Sequence, residues 1–215
     1  MKPLSRCRLY TFVDTGYLDG RNPVDLARML CDSGSDLVQL RAKGAEPDRV
    51  KELAASILPV CHAAGVGFVI NDHPRLALQL GAPICHLGQE DFFDAGYTSA
   101  DQVRGCPKEM LLGLSTHAPE QAKRALRTAP DYLAIGPIYA TPTKPGRAPV
   151  TLEYVRWAQR HVAVPWFAIG GINLDNLDEV LDAGARRICV VSAILRADDP
   201  AAACAAFRRR MDQFD

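Results

Sequence analysis

The sequence has no surplus of either charge. Its 215 residues include 25 Lys and Arg against 25 Asp and Glu, so the formal net charge at neutral pH is zero. Proteins that bind DNA or RNA over a broad surface usually carry a basic domain. The balance therefore argues against a broad nucleic-acid surface, although it leaves room for local clusters of one sign.

Paired cysteines are also missing. The seven cysteines are scattered through the chain, and no two of them form a Cys-x-x-Cys pair. Zinc sites and disulfide-rich secreted domains usually show paired or regular spacing of this kind. Cysteines that serve neither purpose are typical of a reducing compartment. We therefore expect free thiols and a cytoplasmic location.

Long hydrophobic runs and linkers are absent as well. No apolar segment approaches the ~20 residues that span a bilayer, and residues 1–10 are not followed by the apolar segment of a signal peptide. No Pro/Ser-rich stretch or change of composition divides the chain. These absences predict an intracellular protein that forms a single domain over residues 1–215.

What the chain does contain is a series of short apolar runs at nearly regular spacing. Segments with helical periodicity lie between them, such as Pro47–Ala64, Pro119–Arg127 and Leu174–Ala183. Eight runs give roughly 27 residues per strand–helix unit, close to the ~30 expected of such a unit. The predicted strands are residues 8–13, 37–41, 67–71, 84–87, 111–115, 132–136, 166–170 and 188–192.

Strands that alternate with helices predict a parallel sheet covered by helices. An open doubly wound sheet and a closed barrel both satisfy the pattern, but eight repeats favour the barrel, for which ~200 residues is near the lower limit. We therefore expect an α/β fold, a (β/α)8 TIM barrel with a closed parallel eight-stranded sheet. Active sites in such barrels lie at the carboxyl ends of the strands.

Two cations and an amide follow one another at the end of the second strand. Gln39, Arg41 and Lys43 are two residues apart, so an extended chain points all three side chains the same way. Arginine offers a bidentate fork and lysine a point charge, a combination common around phosphates. The alternative is that Arg41 and Lys43 are solvated loop charges.

Two carboxylates end the neighbouring third and fourth strands. Asp72 and Asp91 would meet at the mouth of a barrel, and two carboxylates with open positions suit Mg²⁺, which takes further ligands from water and substrate phosphate. Each has a plainer alternative. Asp72 would serve as the N-cap of a helix that starts near Pro74, and Asp91 as a turn residue.

Two later loops complete the predicted mouth. The polar, cationic segment Thr141–Arg147 resembles loops that close over a charged substrate, with a mobile surface loop as the alternative. Gly170-Gly171 and Val191-Ser192 end the last two strands, where barrels often bind phosphate through backbone N–H groups. A tight turn would also explain the two glycines.

Two histidines belong to the predicted strands or their ends. His86 falls within the fourth run, where a histidine in the core is the more common arrangement. His117 follows the fifth run. Because imidazole gains and loses a proton near neutral pH, His117 at a strand end is a candidate for acid–base chemistry.

Seven motifs, in this order, resemble those of the thiamine phosphate synthase family, which also includes thiazole tautomerases. The resemblance covers about residues 8 to 195, nearly the whole chain. Each motif is modest alone, but all seven coincide with predicted strands. They are Gln-Leu-Arg-Ala-Lys, Asn-Asp, His-Leu-Gly-Gln-Glu-Asp, Gly-Leu-Ser-Thr-His, Gly-Pro-Ile-Tyr-Ala-Thr-Pro-Thr-Lys, Ala-Ile-Gly-Gly-Ile and Val-Val-Ser-Ala-Ile.

The resemblance implies a transferase of thiamine biosynthesis. Such an enzyme joins 4-amino-2-methyl-5-(diphosphooxymethyl)pyrimidine to a thiazole phosphate and releases diphosphate as thiamine phosphate forms. The resemblance further implies one Mg²⁺ per subunit and small phosphorylated pyrimidine and thiazole substrates as partners. The charge balance and the lack of long apolar runs predict neither nucleic acid nor a membrane as a partner. The resemblance is compatible with a homo-oligomer.

The resemblance also assigns roles to residues by position. The pyrimidine diphosphate site comprises Gln39, Leu40, Arg41, Ala42, Lys43, Asn71, Ser115 and Lys144. The thiazole phosphate site comprises Thr141, Pro142, Thr143, Gly171, Val191 and Ser192. The Mg²⁺ ligands are Asp72 and Asp91. The catalytic groups are Arg41, Lys43, Ser115 and Lys144.

Two alternatives to this activity remain open at the level of sequence. A thiazole tautomerase on the same barrel would use a base such as His117, and it would need neither the diphosphate-binding cations nor the carboxylate pair. A catalytically silent barrel would bind phosphorylated thiamine precursors without converting them. The joint presence of the cations and the carboxylates favours the synthase over both.

Overall fold

The eight apolar runs form eight parallel strands in the computed structural model, which describes residues 1–105, 109–141 and 148–214. The strands follow one another around a closed barrel in chain order, which confirms the predicted TIM-barrel fold. They are β1 Leu9–Asp14, β2 Leu37–Arg41, β3 Gly67–Asn71, β4 Ile84–Gly88, β5 Leu111–Thr116, β6 Tyr132–Ile135, β7 Trp166–Ile169 and β8 Ile188–Cys189.

The pairing between β8 and β1 closes the barrel. In register, Tyr10 of β1 is paired with Leu37 of β2 on one side and with Cys189 of β8 on the other. Side chains alternate between the two faces of a strand. Every second residue therefore points into the barrel, and the residues between them face the surrounding helices.

The helices around the barrel often begin with proline, which suits the first helical position because it has no N–H to satisfy there. Within the described residues no helix is both long and apolar enough to cross a lipid bilayer. The helices are α1 Pro23–Asp32, α2 Pro47–Ala63, α3 Pro74–Leu80, α4 Gln89–Asp94, α5 Asp101–Arg104, α6 Pro119–Leu126, α7 Thr151–His161, α8 Leu177–Asp182, α9 Ser192–Leu195 and α10 Pro200–Asp212.

Two predicted element ends differ from the observed ones by more than one residue. Helix α8 begins three residues later than the predicted Leu174, because the side-chain oxygens of Asn173 and Asn176 accept backbone N–H groups there and form a turn. Strand β8 ends at Cys189 instead of continuing to Ser192, which begins α9. In both places the apolar pattern extends further than the element. Hydrogen-bonding side chains or the start of a short helix set the observed boundary instead.

Helix α2 shows how the predicted periodicity buries one face. Leu53, Ile57 and Cys61 are buried against the barrel, and Val60 is partly buried beside them. Full burial of such a side chain contributes about 1.5–3 kcal/mol. The helices are thus held to the barrel mainly by apolar contact. The polar residues at the strand ends are therefore available to line the mouth.

One glycine inside the barrel makes room for an aromatic ring. A Cβ added to Gly113 would overlap the ring of Tyr132, which lies across the barrel interior. We therefore predict that Gly113→Ala lowers the free energy of unfolding by about 1–3 kcal/mol, the usual result of overpacking a core. Urea denaturation would measure the change.

The matched control is Gly16→Ala, since a Cβ there would make only an ordinary contact with Asp14, at 3.4 Å. We expect that variant to stay within about 0.5 kcal/mol of the parent. Equal losses of stability in the two variants would mean that the Tyr132 ring does not need glycine at position 113.

Candidate active site

A cavity of about 580 Å³ opens at the carboxyl ends of the strands. This is the face on which barrel enzymes carry their active sites. Most of the residues predicted for substrate or metal line this one cavity, so the fold brings together groups that are far apart in sequence. They are Gln39, Arg41, Lys43, Asn71, Asp72, Asp91, Ser115, Thr141, Gly171, Val191 and Ser192.

Five of the predicted residues are not among them. Leu40 alternates with Gln39 and Arg41, so its side chain is buried on the helix side of β2, and Ala42 is also buried without lining the cavity. Contact between these two residues and a ligand in the cavity would have to come from the backbone. The other three, Pro142, Thr143 and Lys144, lie outside the described residues, and their roles stay predictions.

Arg41 is held in place by a buried carboxylate at the end of β1. Its Nη1 donates to Asp14 Oδ2 at 2.6 Å, and the Asp14 side chain is only 2% exposed. The other carboxylate oxygen accepts the backbone N–H of Gly16 at 3.0 Å. A guanidinium carries five N–H donors, so the remaining donors of Arg41 can serve a ligand while Asp14 fixes its orientation.

Sequence reasoning missed Asp14, although a signal for it exists. Tyr10, Phe12 and Asp14 are spaced by two along β1, and the first two line the cavity. Extending that alternation to the last residue of the strand places Asp14 beside the mouth. The amphipathic signal was weak because all six residues of β1 are buried.

Asp72 lies at the mouth beside the second cation. Its Oδ2 is 3.8 Å from the ammonium nitrogen of Lys43, and its backbone N–H donates to the carbonyl of His86. The helix that follows has His73 as its N-cap. The alternative role of Asp72 as the N-cap is therefore wrong. Its φ of 64° is left-handed, a conformation that asparagine and aspartate tolerate better than most residues.

Asp91 lines the same cavity as Asp72 and lies in the first turn of α4, directly after the neighbouring strand β4. In the described ranges no group of three or more His, Cys, Asp or Glu side chains is arranged to hold a metal ion. Magnesium needs no such cage, because it is commonly held by one or two carboxylates with waters and substrate phosphates. The oxygen donors of Asp72 and Asp91 fit that mode of binding.

A chain of hydrogen bonds crosses the barrel below the mouth. Gln39 Nε2 donates to the hydroxyl of Tyr10, which lies 3.2 Å from the hydroxyl of Tyr132. That second hydroxyl is 3.0 Å from Nδ1 of His86, whose Nε2 is 2.7 Å from Oγ of Ser115. Burial raises the pKa of both tyrosines well above its ordinary value. Both phenols therefore stay protonated at neutral pH.

His117 lines the cavity just after the end of β5. Its Nδ1 donates to the carbonyl of Gly136, and its Nε2 is 3.9 Å from a carboxylate oxygen of Glu90. The bond to the carbonyl fixes which ring nitrogen carries the proton. The predicted strand-end position of His117 is confirmed, and its acid–base role stays a prediction.

The ends of β7 and β8 form a backbone corner of the cavity. Gly171 has a φ of 66°, and a Cβ there would lie 2.6 Å from Cβ of Tyr139 and 2.8 Å from the carbonyl oxygen of Ala140. Only glycine fits this close approach of two loops. Val191 and Ser192, at the start of α9, complete the corner, which has the position and the bare backbone expected of a phosphate site.

Comparisons with known proteins agree with this geometry. The family described as TMP-TENI, thiamine monophosphate synthase, matches residues 9–194. A thiamine-phosphate synthase of Thermus thermophilus is 50% identical over 179 residues, which cover 83% of this chain and 84% of the relative. One from Acidothermus cellulolyticus is 43% identical over 210 residues, covering 97% and 96%.

A solved structure leads to the same family. The thiamine phosphate pyrophosphorylase of Pyrococcus furiosus superposes with a TM-score of 0.82 at 25% sequence identity, over 99% of both chains. The match therefore extends over the whole barrel, including the strand ends that form the mouth. From its sequence motifs, its fold and these relatives, the chain belongs to the thiamine monophosphate synthase family.

Proposed function

We propose that this protein joins 4-amino-2-methyl-5-(diphosphooxymethyl)pyrimidine to a thiazole phosphate, forming thiamine phosphate and diphosphate. One observation carries the proposal: a single cavity holds a cationic strand end, a carboxylate pair and a bare backbone corner. Two phosphorylated substrates need two anion sites. Arg41 and Lys43 supply one, and the corner at Gly171 and Ser192 supplies the other.

The leaving diphosphate gathers negative charge as its C–O bond breaks. Arg41, already oriented by Asp14, donates to phosphate oxygens from a fixed position, and Lys43 adds a second positive charge beside it. Donors fixed in advance need no reorganisation as charge develops, which makes this a major source of rate enhancement. Asn71 and Ser115 line the same cavity and would orient the pyrimidine.

Asp72 and Asp91 would hold a Mg²⁺ ion next to the diphosphate. When bound, the ion neutralises charge on the phosphate oxygens. The protein's own part is to present both carboxylates to one cavity from the ends of neighbouring strands. Lys43, at 3.8 Å from Asp72, would keep that carboxylate close to the cationic strand end.

The bond to carbon is formed by the thiazole nitrogen. Its lone pair attacks the pyrimidine methylene, the C–O bond to the diphosphate breaks, and diphosphate leaves with the bonding electrons. No protein nucleophile is required. Cys189 lines the cavity, but burial raises the pKa of its thiol well above the ordinary value, so it stays protonated and unreactive.

The direct test is to incubate the purified protein with both substrates and Mg²⁺ and to look for thiamine phosphate and diphosphate. Formation of both products supports the proposal. Isomerisation of the thiazole phosphate without diphosphate release would instead identify a tautomerase. Calorimetric binding of both substrates without any product would identify a precursor-binding barrel.

The backbone corner gives a narrower prediction. Gly171→Ala should lower kcat/KM for the thiazole phosphate on the order of 100-fold, since a displaced loop misplaces the nucleophile. The KM for the pyrimidine substrate should change little. Steady-state kinetics with each substrate varied in turn would measure the two effects separately.

Gly184→Ala is the matched control. A Cβ there would also be crowded, at 2.7 Å from Cγ of Gln159, and its φ of 109° is also positive, yet it lies away from the cavity. We expect it to affect stability without a selective effect on the thiazole phosphate. A selective effect of Gly184→Ala equal to that of Gly171→Ala would contradict the assignment of the corner.

A further inference from the structure

Two buried cysteines meet between helices α1 and α2. Sγ of Cys31, in α1, lies 4.0 Å from Sγ of Cys61, in α2, a distance at which one thiol can donate a weak hydrogen bond to the other. All six cysteines in the described residues are free thiols, as their scattered spacing predicts. This pair therefore holds two reduced sulfurs in contact.

A second cavity, of about 430 Å³, reaches one of the two sulfurs. Residues 34–36 and 64–66 line it and directly precede strands β2 and β3, so this cavity lies at the opposite end of the barrel from the mouth. Cys31 lines the second cavity, whereas Cys61 is fully buried and does not line it. A cavity of this volume can admit a small molecule, which would meet Cys31 first.

The cations of the second cavity are more exposed than its carboxylate. The side chains of Lys2 and Arg208 are 59% and 23% exposed, whereas the Asp36 carboxylate, which pairs with both, is 1% exposed. Exposed positive charge attracts anions to an opening. The second cavity therefore suits a small molecule that carries carboxylates.

Cys31 is also the thiol of the pair that ionises more easily. When Cys31 is a thiolate, the Cys61 thiol donates to it, and this hydrogen bond lowers the pKa of Cys31 below its ordinary value. The same contact, together with burial, raises the pKa of Cys61. The thiolate is the nucleophile in thiol chemistry. Burial raises the pKa of the other described thiols, Cys7, Cys85, Cys189 and Cys204.

We propose that Cys31 and Cys61 form a redox-active dithiol, in which Cys31 attacks a small anionic disulfide in the second cavity and Cys61 then closes a disulfide bond between α1 and α2. This site is separate from the mouth, and the inference does not depend on the proposed function. The small disulfide is the oxidant, and glutathione disulfide represents its chemical class.

The exchange balances in two steps. The Cys31 thiolate attacks one sulfur of the small disulfide, the S–S bond breaks, and one thiolate leaves and recovers from solvent the proton that Cys31 had lost. Sγ of Cys61 then attacks Sγ of Cys31. The mixed disulfide breaks, and the second thiolate leaves with the proton of Cys61. Two protein thiols are oxidised, and one small disulfide is reduced to two thiols.

Closing the bond requires only a short movement of the sulfurs. A disulfide bond is ~2.05 Å long, so the two sulfurs at 4.0 Å must approach by about 2 Å. Rotation of a cysteine about χ1 from one staggered position to the next moves its sulfur over such a distance. We therefore expect the bond to form in the folded protein.

The test treats the folded protein with glutathione disulfide and maps the cysteines by mass spectrometry of an unreduced digest. Cys106 lies outside the described residues, so alanine replaces it in every protein tested. We expect one linkage, between Cys31 and Cys61, and a fall from six free thiols to four. Six remaining thiols, or a glutathionyl group that stays on Cys31 without closure, would overturn the inference.

Two variants test the order of attack. Cys61→Ala should stop at the mixed disulfide, with one glutathionyl group on Cys31. Cys31→Ala should leave Cys61 unmodified over the same period, because Cys61 is buried away from the second cavity. A glutathionyl group on Cys61 in Cys31→Ala would contradict the role of Cys31 as the attacking thiol.

Cys204→Ala is the matched control. This buried thiol also lies close to the second cavity, since its sulfur is 3.5 Å from Oγ of Ser35, which lines it. The variant should form the linkage between Cys31 and Cys61 at the rate of the parent. A linkage between Cys31 and Cys204 in the parent would overturn the inference. Mapping of the parent gives that answer even where a variant fails to fold.

Discussion

Replacing Arg41 with alanine lowers kcat/KM for the pyrimidine diphosphate by about 10³-fold, as expected for loss of a fixed donor that stabilises developing charge. The loss should appear mainly in kcat, because the charge on the leaving group is greatest in the transition state. The kcat/KM of Arg41→Lys should lie between those of the parent and of Arg41→Ala. Lysine keeps the positive charge but loses the fork that reaches Asp14 and the substrate together. Steady-state and single-turnover kinetics would separate the effect on substrate binding from the effect on the chemical step.

Arg41→Ala also leaves the Asp14 carboxylate buried without its partner. Breaking a buried ion pair on one side costs about 3–5 kcal/mol of stability, so lost activity must be separated from lost structure. The double variant Arg41→Ala/Asp14→Asn removes the stranded charge. We expect it to regain most of the stability and none of the activity. Recovery of activity in the double variant would show that Arg41 serves only the fold.

The second large effect concerns the carboxylate pair. Asp72→Asn and Asp91→Asn should each lower turnover by about 10²-fold or more and raise the Mg²⁺ concentration needed for half-maximal rate, because each removes a charged oxygen ligand of the ion. Excess EDTA should abolish the activity of the parent protein. Turnover measured during a Mg²⁺ titration would check both statements.

Asp94→Asn provides the control for these substitutions. Asp94 is an exposed carboxylate at the end of the same short helix as Asp91, and it does not line the cavity. Its replacement should leave the Mg²⁺ dependence unchanged. Full activity of the parent in excess EDTA would defeat the metal assignment, whatever the variants do.

The strands were predictable because burial on both faces produces short continuous apolar runs. β2, for example, begins at Leu37 and ends at Arg41, as the pattern predicts, and its last residue is also where the polar chemistry starts. The charged residues at the mouth were predictable for the same reason. They interrupt an apolar pattern at a point where a parallel barrel gathers strand ends.

The supporting residues were harder to predict. Tyr10 and Tyr132 look like ordinary core aromatics in the sequence, and nothing local reveals that their hydroxyls meet 3.2 Å apart inside the barrel. His86 was predicted to be a core histidine, and it is buried, but it also bonds Ser115. Such pairings depend on closure of the barrel, which sets strands β1, β4 and β6 around one axis.

The bare backbone at Gly113 has a consequence for how the barrel interior can evolve. The Tyr132 ring occupies the volume that a side chain at position 113 would need, and its hydroxyl joins the two halves of the hydrogen-bonded chain. A lineage that gains a methyl group at position 113 either accepts a loss of about 1–3 kcal/mol of stability or acquires a smaller residue at position 132. A smaller residue would also lack the hydroxyl, so relief of the crowding would interrupt the hydrogen-bonded chain between Gln39 and Ser115.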